Sequence, residues 1–263
     1  MSFVPALPAR GIVGLAFLDR TMAAQRKVHD AQPALRRDEA YFRERIGGIT
    51  RAADLVADPR LLRVALTAFG LEADVQNRFF IRKLLEEGTL DPGAFANKLA
   101  DKRYRALSAA FGFGDFSVPR TVLSDFPDSI LGAWKTRRFE AAVGERDEAL
   151  RLALNARREL AEIAGQSLGE DARWFTIMGN APLRRVVETA MGLPQSFGAL
   201  DIDRQLGVFK ARARSILGSE SAAALAESER LDKLIRLYLV RAEAAAPAAA
   251  RSAALQLLQP RRG

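Results

Sequence analysis

DPRLLRVALTAFGL, residues 58–71, reads as one complete helix with both of its ends. Asp58 is a good N-cap, and Pro59 suits the first helical position, where no backbone N–H is needed. Leu61, Leu62, Ala65, Leu66 and Phe69 recur at helical spacing along one face, and Gly70 is a natural stop. The same unit returns 122 residues later. LLRVALTAFGL at 61–71 aligns with LRRVVETAMGL at 183–193, with seven of eleven positions identical. Asp58 and Asn180 stand at equivalent cap positions, and at the same offset Arg82 matches Arg204 and Leu84 matches Leu206. Two copies are too few for an extended solenoid. The expectation is a helix–Gly-Leu–helix unit used twice.

Outward from these two segments the pattern stays helical. Residues 34–46 set Leu35, Tyr41, Phe42 and Ile46 among charges and stop at Gly47-Gly48. Phe79, Phe80, Leu84 and Leu85 form the next helix, ended by Gly88. Asp91-Pro92 repeats the cap-and-proline start, with Phe95, Leu99, Tyr104 and Leu107 along the following segment. Residues 128–143, 146–164, 171–178, 182–191, 199–217 and 221–244 read as further helices, and the alternating β-branched runs of strands are missing. The fold class is therefore all-α: a multi-helix bundle with a duplicated helix–Gly-Leu–helix unit in two packed halves. Gly112, Gly114, Pro119 and Pro127 make 112–127 the best boundary between the halves. The expected organisation is an N-terminal helical segment at 1–33, a first repeat unit at 34–118, central helices with the second unit at 119–245, and an Ala-rich flexible tail at 246–263.

Composition narrows the chemistry. With 263 residues against roughly 100–200 per domain, the chain can bury a real core. There is no cysteine, and His29 is the single histidine. Disulfides, thiolate metal sites, iron–sulfur clusters, thiol nucleophiles and two-histidine chemistry are excluded. His29, among small and charged neighbours, is expected to face solvent or cap a helix, with a pH switch as its functional reading. No stretch approaches the ~18 uncharged apolar residues of a membrane span. Gly11 to Leu18 resembles a signal-peptide core but is short and runs at once into Asp19-Arg20, so no cleavable signal is expected and the cytoplasm is the default.

The net charge is +8. A binding footprint needs clustered basic residues. Residues 1–118 hold 18 basic and 14 acidic side chains and residues 119–263 hold 22 and 18, so the excess is spread evenly. The carboxylate pairs Glu86-Glu87, Asp147-Glu148 and Asp201/Asp203 are neighbours in sequence or lie at a helix start, and such positions do not face one another across a pocket. No Gly-x-Ser-x-Gly elbow, Walker loop or dinucleotide fingerprint occurs, and Gly112-x-Gly114, among Phe111, Phe113 and Phe116, reads as a turn with aromatic anchors. The densest charged run is Asp101, Lys102, Arg103, Tyr104 and Arg105. Its functional reading is a partner contact through Asp101, Lys102, Arg103 and Tyr104, with the tyrosine as anchor; otherwise it is a helix face of ion pairs. Arg157-Arg158 and Arg184-Arg185 are shorter versions. No catalytic residue, metal ligand or cofactor is expected, and the sequence sets no oligomeric state.

FANKLADKRYRALSAAFGF (95–113), with DPRLLRVALTAFGL (58–71), FIRKLLEEG (80–88), FEAAVGERDEALRLALNARREL (139–160) and VVETAMGLPQSFGALDIDRQLGVF (186–209), resembles a family of alphaproteobacterial proteins defined by a domain of unknown function. The resemblance spans about residues 40–215; the chain looks like a minimal copy, without the tandem extension of longer members. Members are often encoded among flagellar genes, and the family has no established catalytic residues to carry over. The resemblance implies a non-enzymatic protein-interaction component associated with the flagellum and a flagellar protein partner. An exported flagellar component is the alternative location, compatible with the absence of cysteine. From the charge comes the alternative function, a basic helical module binding nucleic acid or another polyanion, with salt-sensitive binding as its signature.

Overall fold

The computed structural model describes residues 3–245. Among them thirteen α-helices and four short 3-10 turns follow one another, with no strand. The first half contains α2 (Pro33–Ile46), α3 (Ala52–Ala57), α4 (Pro59–Ala68), α5 (Arg78–Glu87), α6 (Phe95–Lys98) and α7 (Lys102–Phe111). A long α8 (Phe126–Gly144) leads to the second: α9 (Glu148–Ala164), α10 (Glu170–Gly179), α11 (Ala181–Met191), α12 (Ile202–Leu217) and α13 (Ser228–Ala245). The N-terminal α1 (Gly11–Asp30) packs on α8, α9 and α13.

The repeated unit forms as its sequence demands. Asp58 accepts hydrogen bonds from Arg60 N and Leu61 N at the start of α4, and Asn180 accepts one from Leu183 N at the start of α11. Gly70 and Gly192 both lie at positive φ, +69° and +67°. A side chain there would be strained, and the left-handed turn lets the next leucine close the helix end. Leu71 N donates to Leu66 O at 2.9 Å and Leu193 N to Glu188 O at 3.0 Å. The duplication reaches further than those segments. Helices α2, α3, α4 and α5 recur in order as α9, α10, α11 and α12, and α4 packs on α8 as α11 packs on α13. An arginine from that long partner caps each unit: Arg137 of α8 donates to Ala68 O, and Arg241 of α13 to Ala190 O.

Each half has its own apolar cluster. Phe42, Ile46, Leu61, Leu62, Leu66, Leu84, Phe111, Leu131 and Trp134 belong to the first; Leu18, Phe139, Val143, Trp174, Val187, Phe209 and Leu239 belong to the second. The division falls inside α8, between Trp134 and Phe139, and not in the 112–127 stretch. That stretch carries Pro and Gly because it wraps the first half: Thr121 is buried and donates to Ile49 O, and Phe111 packs edge-on against Phe126.

Other expectations also need correction. Asp91-Pro92 does not start a helix. Asp91 closes a turn onto Gly93 N, and α6 begins at Phe95, whose N–H is taken by Glu87 Oε2. A break at 99–101 then separates α6 from α7, so 91–107 is two helices. Phe79 points outward, its ring beneath Arg82, and the buried face of α5 is Ile81, Leu84 and Leu85. The helix expected over 221–244 begins at Ser228, after a 3-10 turn at Ala223–Ala226. His29 is neither solvent-facing nor a cap. It is 2% exposed, wedged edge-on between Phe3 and Phe139, with Nδ1 2.8 Å from Asp30 Oδ1. Its two aromatic neighbours come from residues far apart in sequence, which helical spacing around 29 does not reveal. The tail at 246–263 lies outside the described residues.

Candidate interaction surface

The charged run 101–105 turns inward. Asp101 caps α7 by accepting Arg103 N, and its carboxylate grips the Arg103 side chain, with Nη2–Oδ2 at 2.6 Å. Arg103 Nη1 donates to Gly70 O at 2.5 Å, closing the end of the first repeat unit. Lys102 Nζ donates to Asn97 O and Leu99 O, bridging the break between α6 and α7. Tyr104 packs edge-on to Phe80 and donates to Asp74 Oδ2 at 2.7 Å; burial, then that carboxylate, pushes its hydroxyl up to about 12. Arg105, an exposed residue, donates to Asn97 Oδ1. Asp101, Lys102, Arg103 and Tyr104 are thus brought together, and each is engaged within the chain. The residue before them, Ala100, stands at the seam between the halves: a Cβ on Gly179 would lie 2.4 Å from Ala100 O.

A second polar group fills the same seam. Glu140 and Arg137 from α8 meet Arg158 and Glu159 from α9. Arg158 holds Glu140 with two hydrogen bonds, at 2.9 and 3.1 Å, and Glu159 at 2.7 Å. Arg137 Nη1 donates to Glu159 Oε1 at 3.1 Å, and Asn180 Nδ2 reaches Glu159 Oε2 at 3.3 Å. Burial opposes the charge on Glu159, yet the two guanidiniums outweigh it and hold its carboxyl below the usual range. Glu162, at the rim, goes the other way, pushed up by burial and by Glu159. Arg137 is lowered by burial and by Arg158, while Arg158, also desolvated, is raised by Glu140 and Glu159. This is a bolt between two halves. Each charge has its counter-charge.

The remaining sequence candidates are spent locally. Asp147 and Asp201 cap α9 and α12. Glu86 pairs with Arg82, and Glu87 with Lys83. Arg157 pairs with Asp19 and Asp232, and Arg184 with Glu188 while donating to Gln205. An open depression is lined by Leu7, Ala9, Arg10, Glu145, Arg146 and Asp147. Among the described residues no group of three or more metal-binding side chains comes together, and no helix is long and apolar enough to cross a membrane.

On the first half, exposed apolar side chains concentrate in a ridge formed by the turn at 90 and the loop at 116–123. Leu90 is 67% exposed, Val118 and Leu123 are more than half exposed, and Phe116 and Val122 are each 43% exposed. Asp115 gathers them. Its carboxylate accepts hydrogen bonds from Thr89 N, Thr89 Oγ1 and Leu90 N, clipping the 89–90 turn to the 112–123 loop. Partial burial works against that charge, but these bonds, with Arg120 nearby, keep the Asp115 carboxyl below the usual range. Arg120 lies over the Phe116 ring at 5.2 Å, and Thr121 anchors the loop from beneath. Isolated exposed apolar residues are ordinary, but here Asp115 sets Leu90 beside the loop that carries Phe116, Val118, Val122 and Leu123, and exposed apolar residues concentrated in this way are of the kind that marks interaction sites. The sequence marks 112–127 as a boundary between halves and Gly112-x-Gly114 as a turn, and does not single out this surface. The available signal was Val118, Val122 and Leu123, apolar residues in a Pro/Ser loop that no helical period assigns to a core.

Comparison with known proteins places this architecture. Residues 68–225 match the family model described as a protein of unknown function (DUF1217). The fold is similar to the crystal structure of a structural-genomics target protein from Agrobacterium tumefaciens, with a TM-score of 0.75 and 26% identity over 93% of this chain and 100% of that one. No curated protein matches the chain. The chain belongs to the DUF1217 family.

Proposed function

We propose that this DUF1217 protein is a non-enzymatic interaction component associated with the bacterial flagellum, and that it meets its partner through the ridge of Leu90, Phe116, Val118, Val122 and Leu123. The ridge carries the proposal. These side chains stand in water on a loop fastened at both sides, by Asp115 to the 89–90 turn and by Thr121 to Ile49, so the surface is ordered before a partner arrives. Preorganisation of this kind lowers the entropic cost of binding. A use in catalysis finds less support, because the strongly perturbed charges are locked against one another at the seam. A polyanion-binding role finds less support too, since many arginines are engaged in ion pairs spread over the molecule. The flagellar setting rests on the family resemblance and its gene neighbourhood, an associational argument.

The test is affinity capture from the native cell with the tagged chain and with its Val118→Ser/Leu123→Ser variant, each under a high-salt wash. Flagellar basal-body, rod or export components held by the native chain through the wash, and lost by the variant, are the expected result. Recovery of ribosomal proteins and nucleic acid that salt removes would overturn it, as would a deletion strain with normal flagellar number, length and swimming.

A further inference from the structure

We infer that the ridge accepts a cationic amphipathic segment of a partner protein, whose apolar side chains lie on Val118, Val122, Leu123 and Leu90 while its lysines or arginines face Asp91 and Asp125. The inference rests on reading the ridge as the partner contact and adds the chemistry of what it holds.

Charge supplies the argument. The whole chain is basic, at +8. The two segments that build the ridge, 86–93 and 112–128, run against that balance: they contain Glu86, Glu87, Asp91, Asp115, Asp125 and Asp128, with Arg120 as their single basic residue. Glu86, Glu87 and Asp128 are matched by Arg82, Lys83 and Arg43. Among the described residues, no cation forms an ion pair with Asp91, Asp115 or Asp125. Asp115 is spent on Thr89 and Leu90 with Arg120 beside it, so the exposed carboxylates next to the ridge that carry no salt bridge are Asp91 and Asp125, on a molecule that is otherwise net positive. At an ionic strength of about 0.15 M the reach of a charge is only about 8 Å. A cationic segment on the ridge thus feels mainly the local carboxylates, and elsewhere meets a surface that repels it. An anionic segment meets the opposite: attraction over most of the molecule and unfavourable contacts at the apolar site. Such pairing of attraction at one place with repulsion elsewhere is how an interface gains specificity.

Two synthetic helical peptides of about 14 residues serve as probes, one patterned with leucine and lysine and one with leucine and glutamate. Each is titrated by fluorescence anisotropy into the full chain, into Val118→Ser/Leu123→Ser and into Asp91→Lys/Asp125→Lys, with circular dichroism confirming native helicity of both variants. All substituted side chains are exposed, so folding is expected to be retained. The lysine peptide should bind the native chain, weaken about tenfold with either variant, and lose affinity as salt rises; the glutamate peptide should not bind the ridge. Equal binding of both peptides, lost only in the serine variant, would overturn the charge assignment and leave the ridge as contact surface. Binding unchanged by both variants would overturn the ridge itself. Sedimentation provides the last outcome: self-association of the native chain, abolished in the serine variant, would mean that a second copy covers the ridge, and would overturn a cationic partner.

Discussion

Single residues decide how tightly the halves close. Gly179 lets Ala100 O approach to 2.4 Å of where a Cβ would stand, and backbone on both sides leaves nothing flexible to yield. Gly179→Ala should cost about 1–3 kcal/mol, read as a lower denaturant midpoint with unchanged slope. The caps give a smaller effect. Asp58 serves two N–H groups and accepts the Tyr41 hydroxyl at 2.7 Å. Asp58→Ala should cost about 1–2 kcal/mol in urea unfolding, and a wild-type midpoint would show the cap to be dispensable. The cap was legible in sequence because it is a local event between neighbours. Gly179 was not, since the atom it accommodates belongs to a residue far along the chain.

At the level of elements, the facing sides of α8 and α9 hold the bolt of Arg137, Glu140, Arg158 and Glu159. Removing one member leaves a buried counter-charge alone, so Glu159→Leu should destabilise by about 3–5 kcal/mol. Acid should act on the same point. The folded-state pKa of Glu159 lies below its ordinary 4.5, so its contribution is full above that pH and is lost as pH falls through and below it. Glu162, raised by burial, contributes with the opposite sign and blunts the early part of the loss. Melting temperature should therefore drop between about pH 5 and 3, with a shallower slope in Glu159→Gln; identical slopes would remove Glu159 from the account. Helix existence was readable from apolar spacing and Gly stops. The bolt was not, because Arg157-Arg158 looks like any exposed basic pair until α8 is laid along it. Likewise the run at 101–105 looked like a surface cluster, and only the fold shows Arg103 reaching back to Gly70 O.

Over the whole molecule, α8 enters the first apolar cluster with Phe126, Ile130, Leu131 and Trp134, and the second with Phe139 and Val143. Two clusters sharing one uninterrupted helix should unfold together. Calorimetry is expected to give a single transition, and Trp134→Ala or Phe139→Ala, each costing about 3–5 kcal/mol, should move all of it. Two separable transitions, each shifted by one substitution, would show the halves to be independent. The duplication was legible in sequence mainly as one short segment, because the capped helix carries most of the identities; beyond it only Arg82/Arg204 and Leu84/Leu206 match at the same offset, while the other helices share a packing order with different side chains. The shared helix also fixes a length. At 19 residues α8 is about 28 Å long, with no proline or glycine break between Trp134 and Phe139 at which to bend. A protein docked at the proposed ridge would therefore stand at a distance from the second half set by this one helix, whose length acts as a fixed spacer between the two apolar clusters.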